Sequence, residues 1–154
     1  MSFRRSFAFA FHGLLIGLAP TAVALHSSAA PAAGNTQSVR VLLSDSDAEH
    51  MILQVDTRKV SPGSVTFEVM NLSKDQIHEL IIIKSDGAGR PLPYDAGNER
   101  VVEDKVNDLG EVADLDPGKS GKLTLDLTPG TYILICNQPG HYMHGMKANL
   151  VVAD

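Results

Sequence analysis

Short apolar runs broken by turn-forming clusters fill most of this chain. Val65-Thr66-Phe67-Glu68-Val69 alternates apolar and polar positions, as does Lys122-Leu123-Thr124-Leu125-Asp126-Leu127. Period-two alternation marks a strand with one face buried. Residues 39–43, 51–55, 112–115, 131–135 and 148–152 are further strand candidates, and 77–84 is a β-branched run carrying His78. Turn chemistry separates them at 44–50, 60–63, 71–76, 116–119 and 128–130, where Gly, Pro, Asn, Asp and Ser gather. No helical period appears beyond the first thirty residues. The pattern predicts an all-β, antiparallel β-sandwich of seven to eight strands. Residues 85–108 are rich in Gly, Pro, Asp and Asn and carry no strand signal before Arg100-Val101-Val102. A short helix is expected around 99–106. Long loops in compact domains often cover something.

The first thirty residues follow a different pattern. Arg4 and Arg5 precede an apolar stretch over 7–24, interrupted by Gly13, Gly17 and Pro20, with Ala22-Val23-Ala24 and Ser27-Ser28-Ala29-Ala30 after it. A positive start, an apolar centre and small residues make an export signal. An intact membrane anchor fits less well, because the run is marginal for spanning a bilayer. The expected organisation is a cleaved signal peptide at 1–30, a flexible arm at 31–38 and one domain at 39–154, placed in the periplasm. Removing Arg4 and Arg5 takes the formal net charge from −5 to −7. That balance argues against nucleic acid and against adsorption to anionic lipid. A cationic partner would suit it, although such a charge also serves plain solubility.

Export leads to an oxidising compartment, where cysteines usually pair. This chain has one cysteine. It stands in Cys136-Asn137-Gln138-Pro139-Gly140-His141-Tyr142-Met143-His144-Gly145-Met146, between two strand candidates. A thiolate, an imidazole and a thioether in one loop make most of the ligand set of a blue-copper site, which needs a second histidine. His78 is the candidate. His12 and His26 fall in the signal or at its margin, His50 lies in a turn, and His144 faces outward if His141 faces in. Zinc accepts a Cys-His-His set, but the methionine favours copper. A nucleophilic role for Cys136 lacks an orienting group or oxyanion donors by pattern. Met51 and Met70 read as core residues.

At these residues the chain resembles the cupredoxins, the type 1 blue-copper proteins, over roughly residues 39–152. The family motif is a Cys, a His shortly after it, and an axial Met. Here His141 follows Cys136 after four intervening residues and Met146 follows after four more, a spacing most similar to rusticyanin. Met143 follows His141 too closely for the family pattern. The resemblance implies a Greek-key sandwich with one copper ion cycling between Cu(I) and Cu(II). His78, Cys136 and His141 would be equatorial and Met146 axial. It implies a non-enzymatic carrier of single electrons between redox partner proteins, such as a cytochrome or oxidase. The electron would pass at the His141 edge, with Pro139, Gly140 and Tyr142 around it. Many members place Asn after the first histidine, where its neighbourhood hydrogen-bonds the copper-bound sulfur; here Glu79 stands there. A carboxylate at that place would favour Cu(II), lower the potential or compete as a ligand. The alternative function is copper buffering, tolerance or delivery, which His144, Met143 and Glu79 keep open. A metal-free binding sandwich is a third reading, and it requires Cys136 to be dispensable.

Overall fold

The computed structural model describes residues 37–47, 50–87 and 89–154. The expected export signal and the arm up to Thr36 lie outside the described residues. Eleven strands run in chain order among them: β1 (Gln37–Asp47), β2 (His50–Val55), β3 (Lys59–Val60), β4 (Gly63–Asn71), β5 (His78–Lys84), β6 (Tyr94–Asp95), β7 (Arg100–Val101), β8 (Asn107–Leu115), β9 (Ser120–Leu127), β10 (Gly130–Ile135) and β11 (Lys147–Val152). Eight of these have six or more residues. They form one sheet in the order β2-β1-β4-β9, a second in the order β3-β11-β10-β5-β8, and a small β6-β7 ribbon.

Alternation decides which side chains enter the sandwich. In β4 Val65, Phe67 and Val69 are buried, and in β1 Val39, Val41 and Leu43 are. They meet Leu80 and Ile82 of β5, Tyr132 and Leu134 of β10, and Leu150 of β11 from the facing sheet. Each fully buried side chain of this size is worth about 1.5–3 kcal/mol. The purely antiparallel expectation needs correction. β1 pairs with β4 in parallel, and so does β3 with β11. Alternation tells which face a residue takes and says nothing of the direction of the neighbouring strand. The predicted turn at 44–50 is also corrected, because Ser44, Asp45, Ser46 and Asp47 extend β1 and His50 opens β2.

β5 is buried on both faces, which is why it reads as a continuous apolar run rather than an alternating one. Ile81 and Ile83 point away from the sandwich core into a second cluster with Val101, Ile135 and Tyr142, against which Leu92, Tyr94 and Val106 pack. The long excursion therefore covers the outer face of β5. Its expected helix is one 3-10 turn, Glu103–Lys105. β6 and β7 are two residues each, too short to leave a period in the sequence. β10 lies between β5 and β11, with Ile135 opposite Ile81 and Lys147. That register brings the loop after β10 to the start of β5.

Candidate metal centre

The loop from Cys136 to Met146 is closed by its own backbone. The Cys136 N–H donates to the Met146 carbonyl at 3.1 Å, and the Met146 N–H to the His141 carbonyl at 3.0 Å. The His141 N–H donates to the Gln138 carbonyl at 3.0 Å. Gly140 takes φ +82, a left-handed conformation that glycine adopts without a Cβ penalty. Its N–H donates to the Glu99 carbonyl at 2.8 Å, tying the loop to the excursion. Asn137, buried, continues that tie. Its Oδ1 accepts the Val101 N–H at 2.7 Å, while Nδ2 donates to the Val101 carbonyl at 3.0 Å and to Glu103 Oε1 at 2.7 Å.

On the other side, Asn71 shapes the turn that delivers His78. Its Nδ2 donates to the Gln76 and Leu115 carbonyls, each at 2.8 Å, and its Oδ1 accepts the Ser73 N–H at 2.9 Å. His78, the first residue of β5, then points into the space before the loop. His78 Nδ1 and His141 Nδ1 stand 3.1 Å apart. Cys136 Sγ lies 3.4 Å from His141 Nδ1 and 3.9 Å from His78 Nδ1. These three residues are buried and offer one ligand atom each, all within 4.8 Å of one another.

Burial sets their protonation. It pushes the Cys136 thiol up to about 12 and His141 down to about 4, and it lowers His78 as well. Neighbouring His78 adds to the depression at His141. Both imidazoles are therefore neutral at ordinary pH, as metal ligands must be, and a metal ion must displace the thiol proton. Two imidazole nitrogens and a soft sulfur converging among buried residues fit a copper ion. Met146 is fully buried and joined through its backbone to both Cys136 and His141. Met143, 58% exposed, and His144, also exposed, face outward, and His50 is exposed on β2.

Two expectations change. Glu79 is not among the converging ligand groups. Its carboxylate accepts the Asn137 N–H at 3.0 Å, and burial raises its pKa to about 7 against the opposing pull of Arg100. Its backbone N–H donates to Cys136 Sγ at 3.4 Å, so the contact to the sulfur comes from the main chain, which any residue but proline supplies here. Tyr142, expected around the exposed His141 edge, is buried against Tyr94 with ring centroids 6.1 Å apart, because the excursion covers it. Gly140 is buried too, so Pro139 and Met143 are the exposed neighbours of His141. Sequence reasoning missed Asp45, whose Oδ1 lies 3.4 Å from His78 Nε2. In the sequence it is one acid in a polar stretch. It also missed Asn71 and Asn137; an Asn directly after the lone cysteine was the one available signal.

The sequence pattern of the copper-binding proteins of the plastocyanin/azurin family matches residues 32–153. Auracyanin-B of Chloroflexus aurantiacus (strain ATCC 29366 / DSM 635 / J-10-fl) is 48% identical over 50 residues, which cover 32% of this chain and 21% of that protein. The match thus spans about a fifth of that relative. The auracyanin B structure superposes with a TM-score of 0.55 at 28% identity, covering 77% of this chain and 89% of that one. Rusticyanin from Thiobacillus ferrooxidans gives a TM-score of 0.55 at 20% identity over 75% of this chain and 77% of its own, a likeness of fold. Pattern, sandwich and converging donors agree: the chain belongs to the plastocyanin/azurin family of copper-binding proteins, the cupredoxins, and copper is its cofactor.

Proposed function

We propose that this protein is a periplasmic type 1 copper protein that carries single electrons between redox partners rather than an enzyme. His78 Nδ1, Cys136 Sγ and His141 Nδ1, with the Met146 thioether, would hold the ion. The observation that carries this reading is the convergence of two neutral imidazoles and one thiol, all buried, within 4.8 Å. Copper, when bound, supplies the chemistry by cycling between Cu(I) and Cu(II). The protein's part is to hold the donors still. The loop is fastened to β7 by Asn137, to Glu99 by Gly140 and to β5 by the Glu79 carboxylate. Little then has to move when the charge changes. His78 is fully enclosed, whereas His141 is 7% exposed and lies in the loop between the exposed Pro139 and Met143. The His141 edge is therefore the electron's exit. The acidic balance of the chain suits a partner, such as a cytochrome or oxidase, that presents a cationic face. The periplasmic assignment rests on the leader pattern in the first thirty residues.

Visible and electron paramagnetic resonance spectra of the Cu(II)-loaded protein, followed by redox titration, test this. An intense thiolate-to-copper band with reversible one-electron cycling is expected, and Cys136→Ser should abolish the band. A band that survives in Cys136→Ser would sink the assignment. The exposed His144 and Met143 in the same loop favour one second reading, copper buffering or delivery. Competition with a strong chelator separates the two: a carrier keeps its copper over many redox cycles, and a delivery protein gives it up.

A further inference from the structure

Asp45 stands close to the end of β1, in the four-stranded sheet, whereas His78 belongs to the five-stranded sheet and the loop ligands join two of its strands. The β1–β2 register slips between Asp45 and Asp47. Such a bulge re-aims side chains. Here Asp45 Oδ1 comes to 3.4 Å from His78 Nε2, while His78 turns its other nitrogen, Nδ1, to Cys136 and His141. The imidazole is fully enclosed and the carboxylate is 15% exposed, so solvent screens this pair little. A carboxylate only accepts, so a hydrogen bond to Asp45 would hold the ring hydrogen on Nε2 and leave the lone pair on Nδ1.

We propose that Asp45 is a positioning residue for the copper site. Its carboxylate orients the His78 ring across the two sheets, fixes Nδ1 as the metal-facing nitrogen, and sets a negative charge one imidazole away from the ion. This rests on the reading of His78 as a ligand. Partners of metal-bound histidines of this kind fix tautomer and orientation and raise ligand basicity, and their loss costs about 10–100-fold in metal affinity. The charge also discriminates between oxidation states, because it attracts Cu(II) more than Cu(I).

Asp45→Asn keeps the size and a carbonyl acceptor and removes the charge. Asp45→Leu removes both. The measurements are the reduction potential of the copper-loaded protein and the separate Cu(I) and Cu(II) affinities. In Asp45→Asn, Cu(II) binding should weaken about tenfold more than Cu(I) binding, which raises the potential by about 59 mV. In Asp45→Leu both affinities should fall, by about 10–100-fold for Cu(II). A merely structural aspartate would lower the melting temperature and leave the potential of Asp45→Asn at the wild-type value, and that result overturns the proposal. Asp45→Asn decides the matter even where Asp45→Leu fails to fold. A wild-type protein without a thiolate band overturns the ligand reading itself; a wild-type band with an unmoved Asp45→Asn potential overturns only the role of Asp45.

Discussion

Met143 and Met146 are chemically identical and occupy opposite environments: the first is 58% exposed, and the second is fully buried with its backbone hydrogen-bonded to Cys136 and His141. A thioether tunes a blue-copper site only from the axial position, where it donates weakly to Cu(II). Met146→Leu should therefore keep copper and move the potential upward, while Met143→Leu leaves it near the wild-type value; voltammetry of the two variants compares them directly. A shift in Met143→Leu alone would reverse the assignment. Glu79 makes a second residue-scale case. Its main chain, not its carboxylate, contacts the sulfur, so Glu79→Gln should retain the thiolate band and the acceptor for the Asn137 N–H. Glu79→Ala leaves that buried N–H without its partner, at a cost of about 1–3 kcal/mol in denaturant unfolding. A lost band in Glu79→Gln would mean that the carboxylate takes part at the metal.

At the scale of elements, the site depends on how β5 is delivered and how the two sheets close. Asn71, fully buried, makes three hydrogen bonds at the turn before His78, one of them to Leu115 at the end of β8. Asn71→Ala strands the Leu115 carbonyl and the Ser73 N–H and should cost at least about 2 kcal/mol in denaturant unfolding. Copper affinity should drop with it, because His78 loses its fixed approach. Gly121 of β9 packs against Val112 of β8, and a Cβ there would collide with the valine side chain. Gly121→Ala should destabilise by about 1–3 kcal/mol while the thiolate band stays unchanged. Elements of this kind mark where the sequence was readable. The long strands showed through their alternation, and the convergence of His78, Cys136 and His141 showed through chemistry and spacing. The parallel pairings of β1 with β4 and β3 with β11, the two-residue strands, and the contacts of Asp45, Asn71 and Asn137 did not show. They depend on which segments become neighbours across the sandwich, and no local period encodes that.

For the molecule as a whole, a copper ion held by His78 and Cys136 would act as a clasp. His78 and Cys136 are 58 positions apart, on β5 and just past β10, and the loop between them includes the entire excursion and both β8 and β9. A ligand that binds only when these segments are folded together stabilises the whole domain, by about 4 kcal/mol at a thousandfold excess over its dissociation constant. For a domain of this size that corresponds to a rise in melting temperature on the order of 10–20 °C. The unfolded chain reduces the effect, because its free thiol and the four histidines beyond residue 30 also hold copper, though without the buried geometry. Scanning calorimetry of the mature protein with and without copper should show the rise, and Cys136→Ser should lose most of it. Asp45→Asn, which keeps the size of the β1 side chain, should lose about 1.4 kcal/mol of that stabilisation for a tenfold weaker Cu(II) affinity, about a third of the rise. Equal melting temperatures with and without copper would mean that the ion does not join β5 to the β10–β11 loop, and both the ligand set and its electron-carrier reading would have to be given up.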